Sequence, residues 1–331
     1  MGKLINGIWH NVWYDTEKTD GEFVRKDASF RNWVTSNGEP GPTGGSGFRA
    51  EAGRYHLYVS LACPWAHRTL IFRTLKGLED LIDVTIVEPL MLENGWEFEP
   101  SREPLFQAEF MHEIYTKAAP KYTGRVTVPV LWDKKQDTIV SNESADIIRM
   151  FNTAFDHLTG NDLDLWPEDL REDIKEVNQL VYDNVNNGVY RCGFATTQHA
   201  YDEAFDTLFN TLDILEERLS EQRYLLGTRL TEADIRLFTT LVRFDAVYVG
   251  HFKCNRQCLV DYPNLWNYML DIYSWESVAD TVDLGHIKSH YYGSHATINP
   301  TGVVPNGPVI DMDKPHNRNR FLVASITAVG E

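Results

Sequence analysis

One cysteine of this 331-residue chain lies where a thiol becomes reactive. Cys63 is in the sequence LACPWAH at 61–67, after an apolar stretch ending at Ser60 and before a helical pattern. At a strand-to-helix turn, the amides and dipole of the helix N-terminus favour the thiolate, and Pro64 suits the first helical turn. Ala66 stands where a C-x-x-C pair would have its second cysteine, so Cys63 must find any disulfide partner outside that motif. The motif predicts a one-thiol redox or thiol-transfer catalyst; an inert, buried cysteine is the alternative.

The elements that would hold Cys63 can be predicted on both sides of it. Residues 54–60 (RYHLYVS) have the composition of a strand, and apolar residues then recur at helical spacing, at Ile71, Leu75 and Leu78. Gly77 is a plausible end of that helix. Residues 84–87 (VTIV) supply a second strand, so the segment is a βαβ unit whose crossover should be right-handed.

A second group of elements follows an irregular stretch over 89–124. That stretch is long for a loop, which indicates a functional segment or short helices. Residues 125–132 (RVTVPVLW) and 138–140 (TIV) have the pattern of a hairpin, and residues 141–148 open a helix with capping residues. The order βαβ and then ββα is that of an α/β thioredoxin-like domain, which we expect over residues 51–160.

The flanking parts of the chain differ from this core. Residues 1–50 are polar and aromatic, end in the loop sequence GPTGGSG at 41–47, and are predicted to wrap the core as an N-terminal extension. Residues 165–331 are predicted to form an all-α domain, with apolar helical stripes and a capping box at 231–234 (TEAD). The tail from Ile298 carries four prolines and should be extended over a surface.

Composition excludes several classes of function. The formal net charge is -17 and no basic stripe offsets it, which argues against a nucleic-acid partner. No apolar run approaches the roughly 20 residues that span a bilayer. Four cysteines and a polar N-terminus without a signal peptide predict a reducing compartment, the cytoplasm.

Pro129 interrupts the strand pattern at 125–132. An edge-strand proline explains this without any function. In a thioredoxin-like fold, however, a cis Val128–Pro129 bond would face Cys63 and offer the Val128 N–H and C=O to a peptide-like ligand. We therefore expect the cis form.

Four further residues are candidates for binding such a ligand. Glu143 and Ser144 begin a helix, where their side chains and the nearby amides would hold the ammonium and carboxylate of an α-amino acid. Arg125 would pair with a carboxylate, and Trp96 would cover the ligand. Capping for the first two, and ordinary surface or core positions for the others, are the alternatives. Together these residues suggest a small, zwitterionic, thiol-bearing peptide.

Other chemistry-bearing side chains are interpreted as structural. His286, His290 and His295 have spacing that resembles a metal site, but no nearby carboxylate completes it, so a structural or substrate-lining role is favoured over zinc. Cys254 and Cys258 lack the second pair of a four-thiolate site and are expected to stay reduced. Packing is expected for Cys192.

Six segments of the chain closely resemble the glutathionyl-hydroquinone reductases, the Xi class of glutathione transferases. They are LACPWAHR (61–68), NGW (94–96), GRVTVPVLW (124–132), SNES (141–144), NNGVYRCGFA (186–195) and HYYGSH (290–295). The resemblance covers nearly the whole chain. It implies a thioredoxin-like glutathione domain, an all-helical second domain, a homodimer and no metal.

The resemblance also implies roles for individual residues. Cys63 would be the nucleophile, and Tyr190 and Tyr291 would contact the quinol. We hypothesise that Tyr190 or Tyr291 supplies the proton with which the hydroquinone leaves. The glutathionyl moiety would be bound by Trp96, Arg125, Val128, Glu143 and Ser144. Members of this family remove glutathione from glutathionyl-hydroquinones. Two alternatives remain: an omega-like thiol transferase or dehydroascorbate reductase, and a non-catalytic module that binds glutathione.

Overall fold

The computed structural model of the chain describes residues 2–275 and 277–321, and the chain folds into two compact units. The first consists of Met1–Tyr14, Arg25–Asp164 and Thr281–Val304, and the second of Asp15–Val24, Leu165–Asp280 and Pro305–Glu331. The chain therefore leaves the first unit near residue 164 and returns to it at Thr281. The expected domains, in contrast, kept all residues after 165 together.

Secondary structure is mixed in the first unit and helical in the second. The strands are β1 Lys3–Ile5, β2 Ile8–His10, β3 Tyr55–Val59, β4 Ile82–Ile86, β5 Met91–Leu92, β6 Gly95–Trp96, β7 Gly124–Arg125, β8 Val130–Asp133 and β9 Thr138–Ser141. The α-helices are α1 Pro64–Leu75, α2 Met111–Ala118, α3 Ser144–Thr153, α4 Asp156–Thr159, α5 Arg171–Val181, α6 Gly188–Phe194, α7 Gln198–Glu221, α8 Glu232–Arg243, α9 Pro263–Tyr273 and α10 Leu284–Ser294. No helix in these described ranges is long and apolar enough to cross a membrane.

The core of the first unit is a four-stranded sheet in the order β4-β3-β8-β9. β3 runs parallel to β4 and antiparallel to β8, so Leu57 lies beside Val84 on one side and Leu131 on the other. Every side chain of β3 is buried, as expected for a central strand, and α1 and α3 pack on each other. This arrangement confirms the predicted thioredoxin-like fold.

In the irregular stretch at 89–124, one buried carboxylate binds several backbone N–H groups. Glu103 is 1% exposed and accepts hydrogen bonds from the Tyr58 hydroxyl at 2.7 Å and from the backbone N–H groups of Leu105, Phe106 and Ala108 at 3.0, 2.6 and 3.2 Å. The segment also contains β5, β6 and α2, which agrees with the prediction of short helices.

The N-terminal extension contributes structure that the sequence did not predict. β1 and β2 form a hairpin, and β1 pairs with β7 through Lys3 and Arg125. Further along, Arg31 forms two hydrogen bonds with Asp146 in the first turn of α3. The extension therefore lies along the core at more than one place.

The second unit is built on the predicted apolar stripes, which lie in α7 and α8. The capping box is present: the carboxylate of Asp234 accepts hydrogen bonds from the N–H groups of Thr231 and Leu225, each at 2.8 Å.

Residues 302–311 have no regular secondary structure, as predicted for the tail. Arg318 then donates to the carbonyl oxygens of Leu219 and Arg223 at 2.8 and 2.9 Å, which attaches the tail to the end of α7. The last part of the predicted tail, 322–331, lies outside the described residues.

Candidate active site

Cys63 is the residue immediately before α1, and Pro64 is the first residue of that helix. The Cys63 side chain is partly exposed, and its Sγ lies 3.5 Å from the carbonyl oxygen of Val128. The Val128–Pro129 peptide bond is cis, as predicted. Two predicted site residues that are 65 positions apart therefore meet at the N-terminus of α1.

Hydrogen bonds fix the backbone on both sides of Cys63. Its N–H donates to the carbonyl oxygen of Ser60 at 3.1 Å, and its own carbonyl oxygen accepts the N–H of His67 at 2.9 Å. The Ser60 hydroxyl oxygen accepts the N–H of Ala62 at 3.2 Å. The turn is therefore a defined structure that presents the thiol in one direction.

Glu143 and Ser144 lie at the start of α3, as predicted. Glu143 caps this helix, since its carboxylate accepts the N–H of Ala145 at 3.0 Å. Ser144 is buried, and Nη1 of Arg68 lies 3.5 Å from its hydroxyl oxygen. The guanidinium of Arg68 also packs over the ring of Trp65, at 4.5 Å. Arg68 thus brings positive charge to the start of α3. Arg68 was not predicted from the sequence as a site residue, because its position in the α1 helical pattern does not indicate this contact.

Trp96 is buried in the first unit and stacks on the imidazole of His290, with ring centroids 4.8 Å apart. Its indole Nε1 is buried, and in the described part of the chain no acceptor is within hydrogen-bonding distance of it. A buried N–H without an acceptor costs free energy, which a ligand carbonyl or carboxylate would recover. The Trp96 indole N–H is therefore a donor that a ligand could use.

Arg125 contacts the N-terminal extension. It donates to the carbonyl oxygens of Val12 and Trp13, the latter at 2.8 Å, and its guanidinium lies 4.2 Å from the ring of Tyr14. Burial lowers the pKa of Arg125, while the nearby Tyr14 acts in the opposite direction. The extension therefore orients a cation that the sequence predicted as a carboxylate partner.

The two predicted tyrosines lie in different units. Tyr291 is on α10 in the first unit, is 1% exposed, and contacts the rings of His290 and His295 at 5.2 and 5.5 Å. Tyr190 is on α6 in the second unit and is partly exposed. It belongs to an aromatic cluster with Phe23, Phe194, Tyr248 and Phe252.

The three histidines whose spacing resembles a metal site, His286, His290 and His295, all belong to the first unit. His290 Nδ1 lies 2.9 Å from the carbonyl oxygen of Pro89, so this nitrogen carries the proton. His295 is 5.5 Å from His290 and 6.0 Å from Trp13, measured between rings. The described residues include no group of three His, Cys, Asp or Glu side chains placed to hold a metal ion.

The remaining cysteines are in the second unit. All four cysteines of the chain are reduced in the structure. Cys254 is fully buried, and burial together with a hydrogen bond to Cys192 raises its pKa well above the usual range. Burial, with Asp245 and Asp261 nearby, also raises the pKa of Cys258. These conditions disfavour the thiolate at Cys254 and Cys258.

Comparisons with known proteins give the family. The family model of the N-terminal domain of glutathione S-transferases matches residues 62–154, and that of the C-terminal domain matches residues 198–270. The chain is 59% identical to glutathionyl-hydroquinone reductase YqjG of Escherichia coli, over 96% of this chain and 99% of that protein. It is 53% identical to glutathionyl-hydroquinone reductase PcpF of Sphingobium chlorophenolicum, over 93% of this chain and 96% of the relative.

Solved structures agree with these relatives. A glutathione-bound structure of YqjG superposes with a TM-score of 0.89, at 56% identity, covering 96% of this chain and 99% of the other. The Xi glutathione S-transferase of Phanerochaete chrysosporium superposes with a TM-score of 0.83, at 55% identity, covering 89% of this chain and 100% of the other. By these relatives, and with Cys63 at the start of α1 beside a cis Val128–Pro129 bond, the chain belongs to the glutathionyl-hydroquinone reductases, the Xi class of glutathione transferases.

Proposed function

We propose that the protein uses glutathione to reduce glutathionyl-hydroquinones to hydroquinones, through a mixed disulfide between Cys63 and glutathione. The observation that carries the proposal is the position of Cys63, partly exposed, at the N-terminus of α1. A thiol at this position is favoured as thiolate, the nucleophilic form. Because the motif has no second cysteine, a thiol from outside it must resolve the disulfide, and we assign this step to a second glutathione.

The reaction has two balanced steps. In the first, the Cys63 thiolate attacks the glutathionyl sulfur, an S–S bond forms, and the carbon–sulfur bond to the aromatic ring breaks. The ring carbon takes the electron pair and a proton, and hydroquinone leaves. In the second, the thiolate of a second glutathione attacks the glutathionyl sulfur of the mixed disulfide, which releases oxidised glutathione and regenerates Cys63.

We assign the proton donation to one of Tyr190 and Tyr291, because a phenol is protonated near neutral pH and can donate. Tyr291 is supported by its place on α10, one residue from the histidine that stacks on Trp96. Tyr190 is supported by its aromatic cluster, since aromatic rings pack well against a quinol ring.

Binding of the glutathionyl moiety is assigned to residues of the first unit. The Trp96 indole N–H would donate to the peptide, and the main chain of Val128 would pair with it. Glu143 and Ser144 would hold the α-amino acid end, and Arg125 would attract a carboxylate. The orphaned donor of Trp96 is the strongest support for a ligand here.

Location and assembly complete the proposal. A cytoplasmic location agrees with the four reduced cysteines. A homodimer is proposed from the family, and sedimentation analysis of the purified protein would test it. We expect no metal requirement, which dialysis against a chelator would test.

The deciding experiment incubates the protein with a glutathionyl-hydroquinone and glutathione, and follows hydroquinone release together with the mass of the Cys63 peptide. We expect release of hydroquinone and a mass gain of one glutathione on that peptide. Cys63→Ser should abolish both, because a serine hydroxyl is not ionised at this position. Cys258→Ser, a partly exposed cysteine of the second unit, is the matched control and should retain activity.

The same assay separates the alternative functions. A general thiol transferase would reduce small glutathione mixed disulfides or dehydroascorbate faster than glutathionyl-hydroquinones. A binding module would retain glutathione without releasing hydroquinone, and full activity in Cys63→Ser would reject the covalent route.

A further inference from the structure

We propose that Thr281 and His286 are positioning residues for Cys63, which they hold through the side chains of His67 and Ser60. This inference deepens the proposed function and rests on Cys63 being the nucleophile. Neither Thr281 nor His286 is close to Cys63 in the chain, and neither would touch the reacting sulfur in the mechanism described above.

Ser60 fixes the turn on the side that precedes the thiol. It is completely buried, its carbonyl oxygen accepts the Cys63 N–H, and its hydroxyl oxygen accepts the Ala62 N–H. The same hydroxyl lies 3.3 Å from Nε2 of His286. A hydroxyl has one donor and two acceptor positions, so it can hold the Ala62 amide and the imidazole together. The orientation of the Ala62–Cys63 segment therefore depends on where His286 is.

His67 fixes the turn on the side that follows the thiol. It is also completely buried, and its N–H donates to the Cys63 carbonyl oxygen at 2.9 Å. Its ring Nε2 lies 2.7 Å from the Thr281 hydroxyl oxygen. Buried polar groups need hydrogen-bond partners, so the position of the His67 ring in the core depends on this threonine.

Both contacts come from one short segment, residues 281–286, which we call the clasp. The clasp ends in the first turn of α10 and is itself ordered by Asp283, whose carboxylate caps the helix by accepting the N–H of His286 at 2.8 Å. Because the clasp bonds to the residues three before and four after the thiol, the turn cannot rotate without breaking one of the two contacts. Precise placement of reacting groups has large effects on rate, and misplacement by about 1 Å can cost about 100-fold.

The contacts have a chemical consequence for Cys63. The thiolate is favoured only while the sulfur stays near the amides of the helix N-terminus. A turn released from the clasp would sample orientations in which the sulfur lies away from those amides. Loss of a clasp contact should therefore lower the reactivity of the thiol itself, even with neither substrate bound.

The test measures alkylation of Cys63 by iodoacetamide, followed by the mass of its peptide, from about pH 5 to 9. Thr281→Val removes the hydroxyl with little change of shape, and His286→Leu removes the imidazole. We expect each substitution to lower the alkylation rate near neutral pH by about threefold to tenfold, the change that corresponds to the loss of roughly one hydrogen bond. We also expect the rise of the alkylation rate with pH to begin at a higher pH. Thr281→Ser, which restores the hydroxyl, should return the parent profile.

Two matched controls in the first unit are Thr116→Val, on α2, and His157→Leu, an exposed residue of α4. Both should leave the alkylation profile unchanged. An unchanged profile in folded Thr281→Val and His286→Leu would overturn the proposal, as would a lower melting temperature with unchanged alkylation, because that would show a structural role alone. If His286→Leu does not fold, Thr281→Val and Thr281→Ser decide the question by themselves.

Alkylation uses neither glutathione nor a quinol, so its result does not depend on the proposed reaction. If the variants are alkylated more slowly but the parent protein releases no hydroquinone, the positioning role of the clasp is supported and the proposed function is rejected. If the parent protein turns over normally but both variants are alkylated at the parent rate, the proposed function is supported and the positioning role is rejected.

Discussion

Acid should destabilise the first unit through one buried histidine, His56 on β3. His56 is 1% exposed, its Nε2 lies 2.8 Å from the Thr85 hydroxyl oxygen, and in the described part of the chain its Nδ1 has no hydrogen-bond partner. Burial lowers its pKa to about 4, although Asp83 acts in the opposite direction. The native protein therefore holds His56 neutral at pH values where an unfolded chain would protonate it.

The sign and size of the effect follow from this difference in proton binding. Below an unfolded pKa of about 6.5 the unfolded chain binds more protons than the native one, so stability falls as the pH is lowered. The gap between about 6.5 and about 4 corresponds to about 3.4 kcal/mol once the pH is below both values. Between about pH 7.5 and pH 5 the contribution of His56 to the free energy of unfolding should fall by about 2 kcal/mol.

Urea unfolding of the parent protein and of His56→Gln at these two pH values measures this contribution. Glutamine can still bond to Thr85 but does not titrate, so the variant should lose about 2 kcal/mol less than the parent on acidification. His157→Gln, an exposed histidine on α4, should behave as the parent does. Equal acid losses in the parent and His56→Gln would refute the reasoning.

Three further predictions concern the site and the second unit. Trp96→Phe should weaken glutathione binding about fivefold to tenfold in calorimetry, because it removes the buried indole N–H but keeps the ring stacked; unchanged affinity would show that the donor is not used. Tyr291→Phe should lower hydroquinone release while glutathione affinity stays nearly constant, and a collapse of that affinity would mean that its role is in binding. Asp234→Ala should lower the free energy of unfolding of the protein by about 3 kcal/mol in urea, because it strands the buried N–H groups of Leu225 and Thr231; a loss below about 1 kcal/mol would contradict the capping role.

The local features of the site were predictable from the sequence, because they depend on neighbouring residues. The start of α1 follows from Pro64, and Glu143 follows from helix-capping preferences. The cis Val128–Pro129 bond followed once the order of strands and helices had suggested the fold. For Pro64 and Glu143 the residues that decide the structure are within a few positions of one another, whereas the cis bond was predicted from the order of elements along the domain.

The missed features depend on contacts between distant parts of the chain. β1 and β2 have three residues each, too few for a periodic pattern, and β1 is completed by β7 more than one hundred residues later. The contact between Ser60 and His286 joins residues 226 positions apart, so neither residue signals it alone. Glu103 resembles any surface glutamate in the sequence, and the Tyr58 hydroxyl that bonds to it comes from 45 positions away.

The return of the chain to the first unit at Thr281 has a consequence for biosynthesis. A ribosome adds about 5–20 residues per second, so His286 emerges roughly 10 to 45 seconds after Ser60, which is 226 positions earlier. During that interval a nascent polypeptide already carries Cys63 but lacks the partners of Ser60 and His67. Translation must therefore pass residues 165–280 of the second unit before Cys63 acquires its final surroundings, and a product truncated before residue 281 would carry Cys63 without them.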